Sequence, residues 1–497
     1  MALAMKSTNI APQLDRDDRA ALMRRVRPQE WSNPRPRDIY DLVVVGAGPA
    51  GIEAAQHARR LGLSVALVER NQLGGNSLNA GSIPSKTLIH SARLCAQIRD
   101  AAEFAVSSPE QLKLDFAALK ARMMRVRARI AEYHAVDRLQ HEGVEVFFGD
   151  AKFGGPAALA LGTTPLQFKK AIIATGARAH PPNFPGLDEI GYRTSSNIFD
   201  MPELPQRLVV IGGGPLGCEL AQAFCRLGSR VTIIQNDPKF LPREERDAAE
   251  LLSESMARDG VDIMLNTTVV GAHAENGTKF VDGANYDKKV SVAADEILLS
   301  VGRIPNVENI GLEIAGVDCD EKGVKVDDFL RTTNHNIYAA GDVCMSHKFT
   351  NVAWVSARTA VRNIFENSEV RHSEMMIPWC TYCEPEIAHV GMQVWDAREK
   401  SIPVKTYTVM MQDVDRAITG GQDDGFVKLH VQEGTDKILG ATIVASRASE
   451  LINEVSVVMS TGIGMRDLAR VIHTYPAQSE AIRLAALAYE KDHPGNE

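Results

Sequence analysis

The stretch "VVVGAGPAGIEAAQHARRLGLSVALVER", residues 43–70, recurs as "VVIGGGPLGCELAQAFCRLGSRVTIIQN", residues 209–236, with no gap between the copies. Each copy opens with a β-branched run that reads as a strand, passes through a glycine-rich turn, continues in an Ala/Leu/Arg-rich helical segment and closes in a second strand. In the first copy Gly46, Gly48 and Gly51 allow a tight turn, close approach of backbone to a pyrophosphate, and packing of helix on strand. The helix that follows offers unpaired N–H groups to phosphate. Glu69 ends the second strand, where a carboxylate accepts both ribose hydroxyls of an adenosine, so the first site suits FAD. In the second copy Gly212, Gly214 and Gly217 take the same three roles, and Gln235 stands in place of the acid. Two readings stay open there. Gln235 repels no 2′-phosphate, and Lys239 and Arg243 follow in the same loop, which leans toward NADPH; alternatively Gln235 hydrogen-bonds the ribose of NADH and the basic pair is solvated surface.

Duplication of a dinucleotide motif sets the fold class: α/β, with two Rossmann-like domains, one for FAD and one for NAD(P). A chain of 497 residues with 44% hydrophobic content has room for roughly three or four domains. Its formal net charge of −8 argues against nucleic acid or an anionic membrane surface as partner. No run of 18 apolar residues is present, so no spanning helix is expected. The seven cysteines are scattered, and the opening residues lack a signal-peptide apolar core, which together point to the cytoplasm.

Further motifs follow in order: "LNAGSIPSK" (78–86) in a loop, "IIATGARA" (172–179), "VGRIPN" (301–306), "IYAAGDV" (337–343) and "TYPAQSE" (474–480). With the two glycine turns, this series resembles the flavoprotein disulfide reductases, the mercuric-reductase-like and dihydrolipoamide-dehydrogenase-like branch in particular, from about Tyr40 to Ala488. The resemblance implies an FAD domain over 40–190 and 318–370, interrupted by a nicotinamide domain over 191–317, then an α+β interface domain over 371–497 that forms a homodimer. A proline-rich linker, "HPPNFPGLDE", sits near the first boundary. Residues 1–39 are an extension that wraps or dangles rather than forming a domain. Asp342 is expected to bind the ribityl chain of FAD, Thr175 and Gly176 to mark the chain crossover near the flavin, and Gly302, in "VGRIPN", to be a cofactor-binding residue. Lys86 and Glu219 match the family's charge pair beside the flavin, where a cation stabilises negative charge and a carboxylate orients it.

One stretch departs from the family. The positions of Ser77 and Ser82 carry, in the relatives, a cysteine pair that relays two electrons; a serine hydroxyl has no such couple. On the far side of the site the relatives place a histidine and a glutamate. Here Tyr475 precedes Pro476 and Glu480 is retained; a tyrosine is a poor base but a usable hydrogen-bond donor. His473 is a possible surrogate with no fixed direction. Cys380 is expected near the nicotinamide, while Cys383 and the helical Cys218 and Cys225 read as packing. No second C-x-x-C completes a zinc site, and no metal is expected. These residues point to an FAD-dependent NAD(P)H oxidoreductase handing electrons from flavin to a small-molecule acceptor such as a quinone or dioxygen. The alternatives are a soluble pyridine nucleotide transhydrogenase and a non-catalytic FAD-binding sensor or partner protein. The serines read as natural or as introduced, and the departures of Asn76 and Ala80 from the commonest loop spelling favour the natural reading.

Overall fold

The computed structural model describes residues 15–107, 113–180 and 184–494. The two repeats fold alike. Strand Tyr40–Val45 lies parallel to Val65–Glu69, with Leu42 opposite Val65; strand Arg207–Ile211 lies parallel to Arg230–Ile234, with Leu208 opposite Val231. Helices Pro49–Arg60 and Pro215–Arg226 each carry proline in their first turn, where its missing N–H removes no helical bond. The first sheet runs Val144–Phe148, Val65–Glu69, Tyr40–Val45, Thr164–Ile173, all parallel, and Ile337–Ala339 returns from far along the chain to pair parallel with Thr164–Ile173. That return brings "AAGDV" to the ends of the strands that carry the first glycine turn.

The second sheet is also parallel, in the order Asp262–Met264, Arg230–Ile234, Arg207–Ile211, Glu296–Leu299, beside an antiparallel meander over Thr268–Ala294. Both faces of these sheets are covered, which fits their near-continuous apolar strands: Leu42, Val43, Val44, Val210 and Ile233 have no exposure. A five-stranded antiparallel sheet follows, Trp379–Thr381, Glu386–Gly391, Ile438–Ala445, Phe426–Gln432, Val404–Met410, packed under helices Ala448–Ser460 and Glu480–Asp492. Of the proline-rich linker, residues 181–183 lie outside the described residues, as do residues 1–14.

The rest of the N-terminal extension wraps the first sheet. Helix Asp15–Val26 buries Leu22 and Val26 in the core beneath the first glycine turn. Arg25 Nη1 donates to Ala128 O at 2.9 Å. Beyond it, Asn33 donates to Phe148 O and accepts from Phe148 N, at 2.9 and 2.8 Å, and so occupies the open edge of strand Val144–Phe148.

Candidate active site

A cleft of about 410 Å³ opens at the carboxyl ends of the first sheet. Its floor is the glycine turn. A side chain at Gly51 would place its Cβ 1.7 Å from Gly46 O, so the helix must begin with glycine against the strand; at Gly48 a Cβ would meet nothing closer than 3.8 Å, because that face is open to the cleft. Glu69 is buried beside it, its Oε2 accepting from Ala47 N at 2.8 Å and its Oε1 from Asn71 N at 2.7 Å. Each oxygen keeps a lone pair for a ribose hydroxyl. Burial pushes the Glu69 carboxyl up, partly offset by these two N–H groups. Thr175 and Gly176 line the cleft and are clasped by Asn306, whose Nδ2 donates to Thr175 O at 2.8 Å and whose backbone N–H donates to Gly176 O at 2.9 Å. Asp342 forms the opposite wall, 3.6 Å from Arg303, whose Nε is buried with no partner among the described residues. An open face over the turn, a buried acceptor at the strand end and an orphaned guanidinium N–H fit a dinucleotide carrying phosphates and ribose.

Ser77 and Ser82 both line this cleft. The stretch expected as a loop is largely helical: Gly75–Asn79 form one short helix, and the helix Ser82–Arg99 starts at the second serine. Gly74 and Gly75, both at positive φ, turn the chain into the first helix, and Ala80 and Gly81 break it from the second. Ser77 is half-buried and accepts from Thr350 Oγ1 at 3.2 Å; Ser82 is exposed. Four residues further along, Lys86 reaches Glu219 Oε2 at 2.6 Å, because helices Ser82–Arg99 and Pro215–Arg226 pack face to face through Leu88, Ile89, Leu220 and Phe224. Glu219 is 4% exposed and its other oxygen accepts from Tyr382 N at 3.0 Å; the Lys86 ammonium lies 4.2 Å above the Tyr382 ring.

The second glycine turn repeats the first down to its side-chain contact. A Cβ on Gly217 would lie 2.1 Å from Gly212 O, while one on Gly214 would meet nothing within 4 Å. Gln235 Oε1 accepts from Gly213 N at 2.8 Å, the counterpart of the Glu69 to Ala47 contact. Its oxygen thus engaged, Gln235 has N–H donors left where Glu69 has acceptors. Gly302 sits at positive φ and its carbonyl accepts from His180 N at 3.1 Å, joining the crossover strands Ala177–Ala179 and Arg303–Pro305.

Cys380 lies half-buried on the strand Trp379–Thr381, and burial raises its thiol well above the usual range. Cys383, past the end of that strand, is fully packed, as is Cys218. Tyr475 is 71% exposed and donates to Asp415 Oδ2 at 2.6 Å, a contact that raises its phenol pKa. Glu480 is paired with Arg483, which lowers its carboxyl. His473 turns inward to Glu454 at 2.6 Å. Tyr475, Glu480 and His473 are therefore grouped on the C-terminal unit, and none of them lines the cleft within this chain. Residues of the cleft wall that motif reading passed over are Asn76, Arg303, Lys348 and Thr350. Arg303 stands inside "VGRIPN" and was available to it; Lys348 and Thr350 follow "AAGDV" by a few residues, with no spacing rule to mark them.

Residues 40–363 match the profile of the pyridine nucleotide-disulphide oxidoreductases, and residues 377–486 match the dimerisation domain of the same family. The chain is 31% identical over 454 residues to a mercuric reductase of Bacillus cereus, covering 91% of this chain and 72% of that protein. It is 33% identical over 463 residues to a dihydrolipoyl dehydrogenase of Thermus scotoductus, covering 91% and 98%. The solved structure of the HOCl-induced flavoprotein disulfide reductase RclA from Escherichia coli superposes with a TM-score of 0.80 at 29% identity, over 90% of this chain and 99% of that one. Among the described residues no helix is long and apolar enough to cross a membrane. The family uses FAD and NAD(P)H, its dimerisation domain supports a homodimer, and this chain belongs to it: a pyridine nucleotide-disulphide oxidoreductase of the flavoprotein disulfide reductase type.

Proposed function

We propose that this chain is an FAD-dependent NAD(P)H oxidoreductase that passes electrons from flavin directly to a small acceptor, a quinone-like compound or dioxygen, with no sulfur relay. The observation that carries this reading is chemical: Ser77 and Ser82 occupy the cleft, and among the described residues no cysteine lines it. A hydroxyl has no two-electron couple to offer. FAD, when bound, supplies the capacity to take a hydride from NAD(P)H and release two electrons to the acceptor.

The remaining work falls to the chain. Gly46, Gly48 and Gly51 would hold the pyrophosphate against the first turn of helix Pro49–Arg60, Glu69 the adenosine ribose, and Asp342 the ribityl hydroxyls, with Thr175 and Gly176 closing over the cofactor. Gly212, Gly214 and Gly217 would hold the nicotinamide dinucleotide. The free N–H donors of Gln235 suit an acceptor-rich 2′-phosphate at least as well as a ribose hydroxyl, which favours NADPH. Lys86 would steady negative charge at the reacting face while Glu219 and the Tyr382 ring fix its ammonium in place. Tyr475, exposed on the dimerisation unit beside Ile472, would serve the partner subunit's cleft as a hydrogen-bond donor, with Glu480 behind it.

Anaerobic titration tests the central claim. One equivalent of NADPH per FAD should complete reduction with no long-wavelength thiolate-to-flavin band, and a quinone should then sustain turnover. Uptake of two equivalents would mean that a cysteine pair elsewhere takes part, and full bleaching without turnover on quinone or dioxygen would leave a sensor rather than an enzyme.

A further inference from the structure

Hydride uptake brings two electrons and one proton to the flavin and so adds one negative charge to the cleft. Lys86 answers for only part of that charge, because Glu219 at 2.6 Å shares its field. Lys86 itself is not among the residues lining the cleft; the cations that line it are Arg70, Arg178, Arg303 and Lys348. Arg70 and Arg178 are exposed, and Arg178 is paired to Glu308 at 2.9 Å; Arg303 faces Asp342 at 3.6 Å. Lys348 differs from all of these. It is half-buried, and its Nζ donates to two neutral carbonyls, Asp342 O at 2.6 Å and Met345 O at 3.3 Å. Its position adds a second argument. Lys348 stands two residues before Thr350, the first residue of the 16-residue helix Thr350–Phe365, whose first turn holds no acidic residue. A cation beside a helix N-terminus has the unfavourable sign. Helix and lysine thus aim two positive contributions at one wall, an arrangement that is stabilised when an anion stands in front of it.

We infer that Lys348 supplies the net positive charge of the cofactor cleft and stabilises the negative charge that reduction leaves on the flavin. This role rests on FAD binding and holds whichever acceptor the enzyme serves, so it stands or falls separately from direct transfer to a quinone.

The test is made on the FAD-loaded protein. Lys348→Met should weaken sulfite binding to the oxidised flavin about tenfold, since sulfite addition also places negative charge on the ring. It should lower the two-electron midpoint potential by the matching ~30 mV. Lys348→Arg should restore both values. Should the methionine variant lose FAD, Lys348→Gln, whose amide can still donate to the Asp342 and Met345 carbonyls, carries the comparison with the same expected shifts. Unchanged sulfite affinity and potential in the neutral variants would overturn the inference, and so would equal shifts in the arginine variant, which would reduce Lys348 to a clamp on the turn.

Discussion

Lys86→Met is the substitution that most directly probes the junction between the two nucleotide units. Methionine keeps much of the lysine stem's volume, so the packing of helix Ser82–Arg99 on Pro215–Arg226 should survive. The loss is electrostatic. Glu219, 4% exposed, would keep its bond from Tyr382 N at 3.0 Å but lose the ammonium at 2.6 Å. Removing one partner of a buried pair costs about 3–5 kcal/mol. Because Lys86 itself is 34% exposed and solvent screens it, a stability loss of about 1–2 kcal/mol is expected. For the rate, a charge-assisted contact of about 2–3 kcal/mol realised as flavin gains charge corresponds to roughly 30- to 150-fold slower reduction. Stopped-flow bleaching of the flavin under anaerobic conditions measures that rate directly. In the double variant with Glu219→Gln the two effects should be strongly non-additive, since each single change already breaks the pair. A Lys86→Met protein that is reduced at the parental rate would remove Lys86 from hydride transfer.

Three further outcomes are expected. Gly51→Ala should yield protein without FAD, because its Cβ would stand 1.7 Å from Gly46 O, whereas Gly48→Ala should fold normally and bind FAD more weakly; the ratio of flavin to protein absorbance and the circular dichroism spectrum separate the two. Introducing Ser77→Cys and Ser82→Cys together should produce a charge-transfer band on reduction but poor disulfide turnover, since Tyr475 offers a weak donor where a base is needed; brisk turnover of lipoamide would contradict this. Burial raises Glu244 from 4.5 to about 7 and depresses His389 from 6.5 to about 4. Folding therefore takes up a proton at Glu244 and loses stability as pH rises from 4.5 to 7, while His389, kept neutral, loses stability as pH falls from 6.5 to 4. Glu244→Gln should remove the first slope, making the protein more stable by up to about 3 kcal/mol above pH 7 relative to its parent, as urea denaturation across pH 5 to 8 will show; an unchanged pH profile would refute it.

What could be read in the sequence was local. The strand, turn and helix of each repeat are encoded within 28 consecutive residues, and the structure reproduces their register residue for residue, Leu42 on Val65 and Leu208 on Val231. The extension is the contrary case. Helix Asp15–Val26, "DRDDRAALMRRV", buries Leu22 and Val26 fully amid seven charged residues, so its apolar face is too sparse for periodicity to reveal. What fixes it is the surface it covers: the helix Phe116–Ile130, met through Arg25 and Ala128, and the edge strand met through Asn33.

The site divides along the same line. Glu69 and Gln235 were legible because each binds a backbone N–H of its own repeat, Ala47 and Gly213, at a fixed distance along the chain. Lys86 and Glu219 lie 133 residues apart, and nothing within either segment announces the other; family likeness alone joined them ahead of the structure. Lys348 had neither aid. A lysine in "MSHKFT" is an ordinary surface residue by composition, and it becomes part of the cleft only because strand Ile337–Ala339 returns to the first sheet and sets the following turn beside Asp342. Its charge matters for a reason equally invisible in the chain order: the other lysine assigned to the flavin, Lys86, shares its field with Glu219, and among the described residues the cleft is lined by Ser77 and Ser82 and by no cysteine. With no thiolate to compete for it, the positive field of Lys348 and the helix start at Thr350 is free to act on the cofactor alone.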